Sequence, residues 1–124
     1  MLIITDFNAN EDQLAKRDGI ILSARVHSAE TSSSYVMEGV LDFLLSNDKK
    51  AKYLRSNYVF KVVPMMNIDG VIVGNTRTSI NGFDMNRQWR ALNGTLCPQI
   101  SSLKNHIDFT LTNRKIAMYV DFHM

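Results

Sequence analysis

Apolar and polar positions along this chain switch between the strand and helix periods. Residues 2–5 form a short β-like run, and residues 8–19 are polar, carrying Asn, Asp, Glu and Lys, which predicts a surface loop. Residues 20–26 are dense in β-branched and aliphatic side chains and read as a buried strand. Thr31, Ser32, Ser33 and Ser34 then offer N-cap candidates. Behind them Val36, Met37, Val40, Leu41, Phe43, Leu44 and Leu45 recur at helical spacing. Gly39 inside that helix costs about 1 kcal/mol against alanine, so close packing of the helix backbone is expected there. Lys49, Lys50, Lys52 and Arg55 follow and read as a solvated helix end whose cations suit the C-terminal dipole.

Residues 58–63 predict another strand, stopped at Pro64. Asn67-Ile68-Asp69-Gly70 has turn chemistry, with Gly70 free to take positive φ. From residue 71 to residue 94 no period persists, which predicts an extended loop, and loops of that length inside a compact domain are usually functional or disordered. Residues 98–112 read as a second helix with Ile100, Leu103, Ile107 and Leu111 on one face and His106 exposed on the polar side. Residues 116–122 are the last strand. The order strand, helix, strand, loop, helix, strand implies crossover connections. The expected fold class is therefore α/β, with a mostly parallel (mixed) sheet and helices on both faces.

Composition narrows the function classes. A chain of 124 residues is one domain at most. Its 45% hydrophobic and 21% charged shares are those of an ordinary soluble globular protein. The net charge of +2 gives no reason to expect a nucleic-acid or membrane partner. Cys97 is the single cysteine, so no disulfide framework is implied. The N-terminus lacks a signal-peptide pattern, no stretch approaches a membrane span, and a cytoplasmic location is expected.

Candidate chemistry gathers at two places. His27 and Glu30 lie three residues apart where a strand gives way to a helix, and His123 ends another strand. Two histidines and a carboxylate can hold a catalytic zinc with an open position. In parallel sheets ligands collect beyond the carboxyl ends of strands, where both histidines fall. For either histidine taken singly, a buried hydrogen-bonded imidazole is the alternative. In the long loop, Asp84-Met85-Asn86-Arg87 sets a carboxylate, an amide and a guanidinium within four residues. Such a group can bind a carboxylate bidentately, and a surface arginine with a local aspartate partner is the competing account. Arg77 reads equally as an exposed cation. Asp84 is a candidate acceptor for fixing a ligating histidine's tautomer.

The segments 24–34, 60–77, 84–89 and 121–123 together carry a resemblance. In order and content they resemble the blocks of the M14-type zinc carboxypeptidases, and most closely the cytosolic branch that includes the tubulin deglutamylases. The resemblance implies that residues 1–124 are the N-terminal part of a zinc carboxypeptidase catalytic domain, truncated on its C-terminal side. It implies one Zn2+ ion held by His27, Glu30 and His123, with Asp84 orienting His27. Arg77 would polarise the scissile carbonyl, and Asn86 with Arg87 would hold the substrate's terminal carboxylate. The implied partners are peptide or protein C-termini, with tubulin and polyglutamylated tails among them. The family's general-base glutamate comes from beyond residue 124, so the isolated chain is expected to be inactive.

Asp121 lies on the opposite strand face from Phe122, with nothing requiring it to stand beside the metal. The chain departs from the family at Ile68, where proline is usual, at Ser28-Ala29, where Pro-Gly is commoner, and at Met124, where glycine usually follows. Two alternatives remain: an aspartoacylase-like zinc deacylase, and a non-catalytic zinc-binding or scaffold fragment. The final strand would be an apolar edge, which predicts marginal stability or association.

Overall fold

The computed structural model describes residues 1–90 and 94–124. Its strands are β1 (Leu2–Ile4), β2 (Asp18–Ala24), β3 (Tyr58–Val63) and β4 (Ile116–Phe122). Its helices are α1 (Glu11–Lys16), α2 (Thr31–Leu45), α3 (Lys49–Asn57), α4 (Ile68–Val73) and α5 (Pro98–Asn113), with a short 3-10 turn at Met85–Arg87.

The strands form a four-stranded sheet in the order β1-β3-β2-β4. β2 runs parallel to both neighbours and β1 pairs antiparallel with β3, so the sheet is mixed and mostly parallel. Alternation along β2 sorts the core into two layers. Ile20, Leu22 and Ala24 pack with Met37 and Leu44 of α2, whereas Ile21 packs with Ile100 and Leu103 of α5. Helices therefore cover both faces, as the pattern predicts. A register shift between Gly19 and Ile20 resets the β2–β4 pairing, after which Ser23 stands beside Asp121 and Ala24 beside Phe122.

Several local expectations change. Residues 8–19 are not a loop throughout: Asn10 and Gln13 form a reciprocal capping box, with Asn10 Oδ1 accepting from the Gln13 N–H at 2.9 Å, and this starts α1. The lysine run does not close α2. It opens α3, with Asp48 as N-cap accepting from the Lys50 N–H at 2.7 Å, so Lys49 and Lys50 face the positive end of the helix dipole.

Gly39 has nothing within 4 Å of an added Cβ, so no close packing explains it. Gly70 is helical rather than left-handed. A Cβ there would meet Asn67 Oδ1 at 2.5 Å and the Thr78 carbonyl oxygen at 2.7 Å, so the position requires close backbone approach. Asn67 caps α4, which interrupts the expected 71–94 loop; residues 91–93 of that loop lie outside the described residues. On α5, Leu111 is exposed while His106 is half-buried, the reverse of the expected arrangement for both.

Candidate metal centre

The site begins with the exit from β2. Arg25 adopts φ +59°, a left-handed conformation that costs a non-glycine residue roughly 1–2 kcal/mol. Its buried guanidinium offsets that cost, donating from Nε to the Ser28 carbonyl at 2.8 Å and from Nη1 to Ser34 Oγ at 2.8 Å. The Arg25 N–H donates to Ser33 Oγ, which itself donates to the Glu30 carbonyl at 2.7 Å. The serines expected to cap α2 through their hydroxyls therefore tie the 25–34 turn together instead. Glu30 occupies the N-cap position without a side-chain capping bond, because its carboxylate is turned toward the histidines.

His27 and His123 converge on that carboxylate. His27 Nδ1 lies 2.8 Å from Glu30 Oε1, and His123 Nδ1 lies 3.0 Å from Glu30 Oε2. The two ring centroids are 5.1 Å apart. The His27 side chain is 5% exposed, Glu30 13% and His123 30%, so the cluster is closed on the β2 side and open on the β4 side. One ligand atom from each residue falls within 4.8 Å of the others.

The outer ring nitrogens are also engaged. His27 Nε2 lies 3.0 Å from Asp84 Oδ1, and His123 Nε2 lies 2.7 Å from Asp121 Oδ2. A carboxylate can only accept, so a ring nitrogen that faces one donates to it whenever it carries a proton, at Nε2 to Asp84 or Asp121 and at Nδ1 to Glu30. Two imidazole Nδ1 atoms and a carboxylate facing one point are the donor set of an open zinc site. With a cation among them, each ring would keep its proton on Nε2 and turn its Nδ1 lone pair to the ion. The residues present fit the metal.

Burial alone would raise the Glu30 carboxyl, but hydrogen bonds from His27, the Met124 backbone and His123 leave it below the usual carboxylate range. Asp84 behaves the same way: burial raises it, and His27, Arg77 and the Asn86 N–H together bring it lower.

The loop residues stand beside this cluster. Asp84 caps the 3-10 turn, accepting from the Asn86 N–H at 2.9 Å, and takes Arg77 Nε on Oδ2 at 2.8 Å. Arg77 is thus linked to His27 through Asp84, whereas Arg87 is exposed, with a 3.4 Å bond to the Asn86 carbonyl. Asn86 Oδ1 accepts from Trp89 Nε1 at 2.9 Å, and the Trp89 ring meets Tyr119 edge-on at 6.2 Å.

Two participants escaped sequence reasoning. Asp121 is one, although strand alternation puts 119, 121 and 123 on one face. Arg25 is the other, and no sequence signal marks its left-handed turn.

The family model for zinc carboxypeptidases matches residues 1–124. Cytosolic carboxypeptidase 2 of Mus musculus is 45% identical over 123 residues, covering 99% of this chain and 14% of that protein. Cytosolic carboxypeptidase 3 of Bos taurus is 47% identical over 108 residues, covering 87% of this chain and 11% of that protein. A putative carboxypeptidase A from Shewanella denitrificans OS-217 superposes with a TM-score of 0.84 at 29% identity, covering 98% of this chain and 30% of that one. A metallo-carboxypeptidase from Burkholderia cenocepacia gives a TM-score of 0.82 at 28% identity, covering 93% and 30%. The chain spans only 14% and 11% of the length of these two curated relatives. A match running from the first residue to the last, on a fold shared with solved carboxypeptidases, makes this chain a member of the zinc carboxypeptidase family.

Proposed function

We propose that this chain is the N-terminal part of the catalytic domain of a cytosolic zinc metallocarboxypeptidase, one that releases C-terminal residues, glutamate among them, from peptides or proteins. The observation that carries this reading is the convergence of two imidazole Nδ1 atoms on the Glu30 carboxylate. His27, Glu30 and His123 would hold the ion, which supplies Lewis-acid polarisation when bound. Asp84 orients His27 by taking its Nε2 proton. Arg77, held by Asp84 through Nε, would polarise a scissile carbonyl by charge. Asn86 and Arg87 bind the terminal carboxylate, with Arg87 exposed and so open to an incoming chain end. Tubulin and other polyglutamylated tails are the substrates this reading favours. The names of the relatives support the carboxypeptidase over the deacylase alternative.

The acid–base step is a different matter. Glu30 faces both histidines, Asp84 holds His27, and Asp121 holds His123. No carboxylate of the cluster is left to collect a proton, and general acid–base help is worth about 10²–10⁴-fold. The 124-residue chain alone is therefore a zinc-binding unit with little or no turnover.

The test uses a longer gene product beside this chain. Arg87→Ala in the longer protein is expected to cost on the order of 2–5 kcal/mol in kcat/KM on free C-termini if the pair is desolvated, and to leave zinc content unchanged. Equal rates on free and amidated C-termini would remove the carboxylate-binding role, and turnover by the short chain equal to the longer one would remove the argument about the missing base.

A further inference from the structure

Ser23 is the polar exception within the apolar run of β2, and it is fully buried. Its hydroxyl donates to Asp121 Oδ1 at 2.7 Å. A serine has one hydroxyl proton, so the 2.9 Å contact between Ser23 Oγ and the Tyr119 hydroxyl has tyrosine as donor. Burial first, then the Asp121 carboxylate, push the Tyr119 phenol up to about 12 against the opposing Ser23 bond, so it keeps its proton at neutral pH. The other Asp121 oxygen takes the His123 Nε2 proton at 2.7 Å. Directed hydrogen bonds thus run from Tyr119 to Ser23 to Asp121, and His123 closes on the same carboxylate.

The register of the sheet makes this possible. After the shift near Gly19, Ile21 pairs with Tyr119 and Ser23 with Asp121, so these residues stand side by side on the α5-facing surface. Trp89 packs edge-on against Tyr119 and reaches back to Asn86, joining this network to the loop that carries Asp84.

We propose that Asp121 is the positioning residue of His123, held by Ser23 and Tyr119, and that it fixes this ring with Nδ1 toward the metal as Asp84 does for His27. This rests on the reading of His27, Glu30 and His123 as zinc ligands. Asp121 does not touch the metal; it sets the tautomer and angle of a residue that does. The need is greater at His123 than at His27, because the His123 side chain is 30% exposed against 5% and β4 is an edge strand.

Asp121→Asn keeps size and one acceptor but loses the charge. Zinc affinity of the full chain, measured by competition with a chromogenic chelator, is expected to fall about 10–100-fold, the usual effect of losing such a partner. Tyr119→Phe should give a smaller loss. In the zinc-loaded wild type, long-range proton–nitrogen NMR should show the His123 ring proton on Nε2, and Asp121→Asn should mix in the other tautomer. Metal-free melting temperatures should match. Unchanged zinc affinity in Asp121→Asn, beside a large loss in His123→Ala, overturns the role of Asp121 and leaves the metal reading intact. A lower metal-free melting temperature with an unaltered tautomer also overturns it, assigning Asp121 to holding β4. A wild-type chain without zinc affinity overturns both readings.

Discussion

Arg25 shows how much of the His27, Glu30 and His123 cluster depends on one residue outside it. Its left-handed backbone turns the chain out of β2, and its guanidinium holds the turn through Ser28 and Ser34. Arg25→Ala should lower stability by about 2–3 kcal/mol, the scale of hydrogen bonds from charged donors, and weaken zinc binding with it. Lysine should not rescue, since one ammonium cannot reproduce the guanidinium fork. Urea unfolding with and without zinc checks this; an unchanged midpoint would mean the backbone bonds suffice.

Lys61 is the opposite case, a buried cation outside the site. Its Nζ donates to Thr110 Oγ1 at 2.7 Å, and no carboxylate ion-pairs with it among the described residues. Burial, then the nearby Arg114 charge, hold its pKa below the usual 10.5, and His106 on the same helix adds no negative charge. A lysine depressed in the fold binds fewer protons than in the unfolded chain. Its cost is therefore full at neutral pH and relieved as pH rises from the folded value toward 10.5. Lys61→Met should raise the neutral urea midpoint by the equivalent of about 1 kcal/mol and flatten the alkaline rise. A drop at pH 7 would show that the Thr110 bond outweighs desolvation. The cluster of His27, Glu30 and His123 was legible in the sequence because chemistry restricts the type and spacing of such residues. Arg25 and Lys61 were not, because what matters there is a dihedral angle and a burial.

At the scale of elements, strands β2, β3 and β4 and helices α2 and α5 were legible, since each is long enough to show a period. The missed helices, α1, α3 and α4, run six to nine residues and begin at caps rather than at apolar repeats. The capping signals were nevertheless present: Asn10 with Gln13, Asp48 before the lysines, and Asn67 before Gly70. Polar composition outweighed them at α1, and at α3 the cations suggested the wrong helix end. The departure at Ile68 now has a structural meaning, because it is the first residue of α4, where an amide proton has no intrahelical partner and proline fits. Ile68 is also exposed. Ile68→Pro should stabilise the chain by about 0.4–1 kcal/mol through the unfolded state, with zinc affinity unchanged. Thermal denaturation measures it, and a loss would mean that Asn67 cannot hold its cap before a proline.

For the molecule as a whole, two layers of helix on a mostly parallel sheet followed from the order of periods, and the sequence marked the last strand as an edge but not the first. The order β1-β3-β2-β4 leaves two. β1 is three residues long, too short to template much pairing, whereas β4 has seven residues with Met118 48% and Tyr119 40% exposed. Edge strands are usually protected by lysine, proline or a bulge along their length. β4 has neither lysine nor proline, its register shift lies at its start, and its one charge, Asp121, is engaged with Ser23 and His123. On α5, Phe109 and Leu111 are exposed as well, at 63% and 56%. The purified chain is therefore expected to associate as its concentration rises through the micromolar to millimolar range. Met118→Lys places a charge on that edge without touching the metal side, because Met118 pairs beside Ile20 on the α2-facing surface while Asp121 pairs beside Ser23 on the other. Light scattering should show association falling in the variant while its zinc affinity stays at the wild-type value. A wild-type chain that stays monomeric throughout that range would show that twist and the half-buried neighbours of β4 already protect the edge.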